Sequence, residues 1–191
     1  MKKLTLLLAV ILISNSMQAQ EQVKCLIDTS LGKIEIELYQ DKAPITVGNF
    51  LQYVDNSAYD NSSFFRTCTA ENEADREIKI EVIQGGNIPE EKQQPPIKIE
   101  TTETTSILHK NGTISMARSK PNSATSSFFI CINDQPELDF GGKRNPDGQG
   151  FAAFGQVTKG MDVVLKIQSQ KSENQYLTKP IEIYSIKRIT K

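Results

Sequence analysis

Alternation dominates the first third of the chain. Ile34, Ile36 and Leu38 alternate with Lys33, Glu35 and Glu37. A strand has side-chain period two, so one face of this segment meets a core and the other meets water. Cys25 to Thr29 precedes it across Ser30-Leu31-Gly32, which together predict a hairpin of Cys25–Thr29 and Lys33–Tyr39. The period then changes. Asp41-Lys42-Ala43-Pro44 opens a helix, with proline in the first turn, where its missing N–H costs nothing. Val47, Phe50, Leu51 and Val54 recur at helical spacing, and the pattern ends near Asn56-Ser57. Tyr59 to Ser63 reads as a turn, and Phe64-Phe65-Arg66 starts another strand.

The densest pattern lies between Asn111 and Ile132. Ile114 and Met116 alternate with Thr113, Ser115 and Ala117, and Ser127 to Ile132 is a run of β-forming residues. Arg118 to Ser126 between them is small, polar and interrupted by Pro121, which predicts a loop. In the second strand Phe128 and Ile130 face one way, and Ser127, Phe129 and Cys131 the other. The first face suits a core. The second sets an aromatic ring beside two small groups, as an apolar pocket with a polar edge requires.

Near the C-terminus, Gly160-Met161 opens a second helix with Val163, Val164 and Ile167 turned inward, and Pro180 to Ile189 is a closing strand. The intervening segments are less regular. Thr67 to Glu81 is charged and shows no period until Ile78, Ile80 and Val82. Pro89 to Pro96 predicts a loop, Ile97 to Glu100 a short strand, and Asp139 to Gly150, with four glycines and one proline, a long irregular loop. Many short strands with two helices and no βαβ alternation favour a closed antiparallel barrel over a layered α/β fold.

The N-terminus stands apart from this pattern. Lys2 and Lys3 precede the apolar run Leu4 to Ile13, and small and polar residues follow through Ala19. This is the three-part pattern of a secretory signal, and the run is too short to span a bilayer. The chain therefore divides into a signal peptide, residues 1–19, and one domain, residues 20–191, of a protein that is exported, to the periplasm or beyond it. A formal net charge of −1 offers no basic excess to attract nucleic acid or an anionic membrane. Three cysteines leave at least one thiol unpaired: Cys131 suits a buried strand position, and a Cys25–Cys68 bridge is open. The single histidine, His109, and the scattered cysteines give no metal-ligand spacing, and no cofactor is implied.

The blocks Gly112 to Arg118 (G-T-I-S-M-A-R) and Pro121 to Ile130 (P-N-S-A-T-S-S-F-F-I) resemble the signature of the cyclophilins, peptidyl-prolyl cis-trans isomerases. Phe64-Phe65-Arg66, Val82 to Asn87 and Gly150 to Val157 resemble further blocks of that family, in the same order. The resemblance implies a mainly β fold, a closed eight-stranded antiparallel barrel capped by two helices. It also implies catalysis of rotation about X–Pro bonds in unfolded or newly exported polypeptides, by a monomer.

By the same resemblance Arg66 takes the place of the catalytic arginine. Phe129, Val82, Leu138 and Phe151 form the proline slot, with Phe65 beside it. Gln84 matches a glutamine that bonds the substrate carbonyl, and Ala117 and Arg118 match positions whose main chain pairs with substrate. From residue type alone, Arg66 and Gln84 read equally as surface residues, and Phe129 and Leu138 as core. The chain departs from the family pattern at several positions. Glu81 stands where a phenylalanine of the pocket wall is usual, and Val82 replaces methionine. Phe65 and Phe151 replace residues that are often histidine. Ser127 replaces a glutamine that helps orient the arginine, and Glu137 an aromatic that contacts cyclosporin. Glu81 and Ser127 therefore favour a rival function, a proline-peptide binding module or chaperone on the same barrel, whereas Arg66 favours the enzyme.

Overall fold

The structure, a computed structural model, describes residues 22–189; the expected signal segment, residues 1–19, lies outside them. Strands β1 (Val23–Thr29) and β2 (Gly32–Leu38) form the anticipated hairpin, paired without interruption from Val23↔Leu38 to Thr29↔Gly32. The remaining strands are β3 (Ser62–Cys68), β4 (Val82–Gly85), β5 (Thr113–Met116), β6 (Phe128–Cys131), β7 (Ala152–Lys159), β8 (Ser172–Glu173) and β9 (Tyr176–Ile189). Eight of them follow the order β1-β2-β7-β5-β6-β4-β3-β9, and β9 pairs back onto β1, so the sheet closes. All pairings are antiparallel. Closure leaves no open edge on the barrel. The two-residue β8 is a side hairpin on the start of β9.

Helices α1 (Pro44–Asp55) and α3 (Met161–Gln168) are those expected, and a single turn, α2 (Thr102–Thr105), adds a third. Val47, Phe50, Leu51 and Val54 of α1 are buried as their spacing requires, as are Val163, Val164 and Ile167 of α3. Gly160, just before α3, has φ +91°, and a side chain there would collide with the Lys33 carbonyl. Only glycine fits that corner. Among the described residues no helix is long and apolar enough to cross a membrane.

One expectation needs correction. Ile97 to Glu100 is not a strand: Ile97 forms one isolated bridge, to Ala124. The Ile78/Ile80/Val82 alternation enters a strand only at Val82. Ile80 is buried, but its N–H bonds a side chain, Glu73 Oε2, rather than a neighbouring strand.

The barrel core is aromatic at its centre. Phe128 lies edge-on to Phe50, Tyr59 and Phe64, with ring centroids 5.6, 5.6 and 5.8 Å away. Such edge-to-face contacts suit the ring quadrupoles and add to the gain from burial. Phe128 and Ile130 belong to this core, whereas Phe129 and Cys131 join a second buried cluster with Cys68, Ile80, Val82 and Leu138. The period-two division of β6 thus separates structure from site.

All three cysteines are unpaired and buried. Cys68 and Cys131 both oppose Val82, from the strands on either side of it, and so stand about two strand spacings or ~10 Å apart, too far for a disulfide. The open Cys25–Cys68 pairing is not formed. Burial pushes the Cys25 thiol up to about 12 and the Cys68 thiol up to about 11, and raises that of Cys131 further. The native protein is therefore expected to resist thiol reagents at neutral pH, with three thiols titrating once it is unfolded. Fewer than three in the unfolded chain would show that a bridge exists.

Candidate functional site

The outward face of β6 and its neighbours line a pocket of about 220 Å³. Its apolar floor is Phe129, Val82, Leu138 and Ile80, with Phe151 and Ala117 beside them. Phe151 stands perpendicular to Phe129 at 5.4 Å between centroids, so the two rings meet edge to face and form the aromatic corner of an apolar slot. His109 is stacked against Phe129 with centroids 5.9 Å apart. Its Nδ1 lies 2.7 Å from Asp139 Oδ1 and its Nε2 2.9 Å from Ser115 Oγ, so both ring nitrogens are held. His109 is a buried support for the slot, in keeping with its lack of metal-ligand spacing.

Arg66, on β3, forms the polar wall. Its Nη1 donates to Gln84 Oε1 at 2.7 Å, and its Nε and Nη2 both donate to Gln175 Oε1, at 3.0 and 2.5 Å. A guanidinium has five N–H donors. Three are taken, which among the described residues leaves one on each terminal nitrogen. Gln84 is itself oriented, because its Nε2 donates to Ser127 Oγ at 3.0 Å and Ser127 Oγ donates to the Gly85 carbonyl at 3.0 Å. Ser127 therefore does not reach the arginine, but it fixes the amide that does.

Gln175 continues the network on the other side. Its Nε2 donates to Glu73 Oε1 at 3.0 Å. Glu73 comes from the charged Thr67–Glu81 segment, is 1% exposed, and forms a buried ion pair with Arg144, which also donates to the Ile78 carbonyl. Burial pushes the Glu73 carboxyl up, but the Arg144 bonds and the Ile80 N–H more than offset it, holding it below the usual carboxylate range.

Eight of the residues singled out in the sequence line this one pocket: Arg66, Val82, Gln84, Ala117, Arg118, Phe129, Leu138 and Phe151. Arg118 keeps its charge from a ligand by burial, not by bond count: its side chain is 1% exposed, bonds Asp147 twice at 2.8 Å and the Gly150 carbonyl, and lies over the Phe151 ring. It braces the rim. The Ala117 N–H already donates to the Ser127 carbonyl at 2.8 Å, so only its carbonyl remains for a ligand.

Phe65 is not brought into the lining; its ring stacks on Tyr176 at 6.4 Å. Glu81 also lies off the lining, accepting a bond from Asn133 Nδ2 at 2.8 Å. Arg76, Arg144 and Asn145 line the pocket without having been anticipated, and Gln175 and Glu73 stand directly behind it. They come from segments whose lack of periodicity gave no strand or helix on which to place them.

Comparison with known proteins shows the family. Residues 24–188 match the family described as Cyclophilin type peptidyl-prolyl cis-trans isomerase/CLD. A peptidyl-prolyl cis-trans isomerase of Acinetobacter baylyi is 40% identical over 172 residues, 87% of this chain and 82% of that one. Peptidyl-prolyl cis-trans isomerase A of Dickeya dadantii is 37% identical over 188 residues, 93% of this chain and 90% of that one. The crystal structure of a Cryptosporidium parvum cyclophilin type peptidyl-prolyl cis-trans isomerase superposes with a TM-score of 0.72 at 21% identity, covering 89% of this chain and 99% of that chain, a likeness of fold. With its barrel, its arginine-walled pocket and these relatives, the chain belongs to the family of cyclophilin-type peptidyl-prolyl cis-trans isomerases.

Proposed function

We propose that this isomerase acts on X–Pro bonds of unfolded or newly exported polypeptides and that Arg66 is its catalytic donor. The barrier to rotation, ~20 kcal/mol, comes from amide resonance. No covalent step is needed, only tighter binding of the twisted amide than of either planar form. Twisting returns a lone pair to the proline nitrogen. The observation that carries the reading is the pair of uncommitted N–H groups on an arginine held at the edge of an apolar slot.

In this reading the proline ring packs against Phe129 and Phe151, over Val82 and Leu138. An N–H of Arg66 then donates to the nitrogen as it becomes pyramidal. Gln84 has spent one of its two amide donors on Ser127 and offers the other to the substrate carbonyl. The planar amide separates charge and the twisted one does not, so apolar surroundings also favour the twist. Cysteine chemistry plays no part, because the thiols are buried. Export fits the two lysines and the apolar run within residues 1–19.

The rival reading, a binding module that has lost its rate, rests on Ser127 and Glu81. The Gln84–Ser127 bond weakens it, because the serine retains a hold on the network. The test is cis-to-trans exchange in a short X–Pro peptide added in excess to residues 20–191. Acceleration beyond the uncatalysed rate is expected. Binding of the peptide with no acceleration would establish the module instead.

A further inference from the structure

We propose that Gln175, held by Glu73 of the 67–81 segment, is a positioning residue that fixes the plane of the Arg66 guanidinium. The proposal rests on Arg66 as the catalytic donor. An arginine with one partner can swing about its last bonds. Arg66 has two, on opposite edges: Gln84 on Nη1, and Gln175 on Nε and Nη2 together. A single acceptor shared by Nε and Nη2 defines the plane of the fork.

The orientation of each amide is forced. The Glu73 carboxylate can only accept, so Gln175 must turn its nitrogen toward Glu73 and its oxygen toward Arg66. Glu73 in turn cannot move freely. It is buried, it receives the Arg144 guanidinium on both oxygens, and Oε2 accepts the Ile80 N–H at 2.9 Å. Both partners of Arg66 are neutral amides. They fix its geometry while leaving its charge uncompensated at the pocket, which a carboxylate in direct contact would not do. Ser127 is too short to touch Arg66, and Gln175, backed by Glu73 of the 67–81 segment, supplies the second hold from the opposite side.

An independent feature of the backbone points the same way. Asn174 and Gln175 form the two-residue turn between β8 and β9, with φ of +48° and +73°. Glycine is the favoured second residue of such a turn. Here the position carries a long amide instead, and its carbonyl is tied to β3 by the Thr67 N–H at 2.8 Å, one residue from Arg66. A local rule is broken where a side chain is used, as is usual at functional sites.

The test compares Gln175→Gly with Gln175→Met in residues 20–191, measuring kcat, KM and thermal midpoint on an X–Pro peptide. Both remove the amide, but glycine relaxes the positive φ and methionine does not, so their stabilities should move apart. The expected result is that kcat falls about tenfold in both, with KM changed less than about twofold. In an Arg66→Lys background, where there is no fork to orient, Gln175→Gly should have no further effect on kcat. An unchanged kcat in Gln175→Gly, or an equal fractional loss in the Arg66→Lys background, would overturn the positioning role. A wild-type rate in Arg66→Ala would instead overturn the assignment of Arg66 itself, whatever Gln175 does.

Discussion

Arg66→Ala is expected to lower kcat/KM by about 10²- to 10³-fold, the usual loss when one preorganised donor is taken from a site. At 1.36 kcal/mol per decade this is roughly 3–4 kcal/mol of the barrier. The size follows from what the donor does. It has no hydrogen-bond acceptor to meet in the planar amide nitrogen and gains one only as the bond twists, so its contribution falls on the transition state and not on the bound peptide. KM should therefore change much less than kcat. Stability should change little as well, because Arg66 is only half-buried and its loss leaves two glutamine carbonyls that pocket water can reach. Arg66→Lys keeps the charge but not the planar fork, and should recover only part of the rate. A loss in Arg66→Ala that appears entirely in KM would place the arginine in peptide binding rather than in catalysis. Line-shape or exchange measurements on an X–Pro peptide separate the two quantities.

The largest effect on stability is expected at the buried ion pair behind the pocket. Glu73→Ala leaves Arg144, 8% exposed in its side chain, without its carboxylate. Breaking a buried pair by removing one partner costs about 3–5 kcal/mol, because the surviving charge stays desolvated. Urea unfolding should show this as a lower midpoint at an unchanged slope. Replacing both residues, Glu73→Ala with Arg144→Met, should recover part of the loss. A cost below about 0.5 kcal/mol in Glu73→Ala would mean that the 67–81 segment is a surface loop with no hold on the barrel. The pair also sets an acid limit. The Glu73 carboxyl titrates below its unfolded value of about 4.3. Its contribution is thus complete above that pH and is lost as the pH falls through the lower, folded value. Glu73→Ala should remove this part of the acid dependence.

The parts of the molecule legible in the sequence are those in which side-chain period and environment coincide. The alternation of Ile34, Ile36 and Leu38 determines the inner face of β2, and the helical spacing of Val47, Phe50, Leu51 and Val54 the buried face of α1. Phe128 and Phe129 were separable for the same reason: adjacent residues on a strand must point to opposite sides, one into the barrel and one into the pocket. Resemblance to the cyclophilin blocks added Arg66 and its neighbours, and eight of those positions line one cavity.

The illegible parts depend on contacts distant in sequence. Gln175 meets Arg66 only because β9 pairs with β3, and an amide in a charged turn carries no mark of that. Glu73 looks solvated among Glu71, Asp75 and Glu77, yet it alone is buried, because Arg144 arrives from the irregular loop between Asp139 and Gly150. Ile97 to Glu100 misled in the opposite direction. Its alternation is real, but only Ile97 finds a strand-like partner. The β8–β9 turn ties up the Thr67 N–H with its own backbone carbonyl, which draws the C-terminal hairpin against the arginine.

The most direct measurement is two-dimensional exchange spectroscopy on an X–Pro peptide with residues 20–191, wild type and Arg66→Ala side by side. Cis–trans exchange peaks should appear at a small fraction of enzyme to peptide for the wild type. They should vanish in Arg66→Ala, while the peptide shifts that report occupancy of the Phe129 slot persist. Exchange peaks of undiminished intensity in Arg66→Ala would contradict the account at its centre.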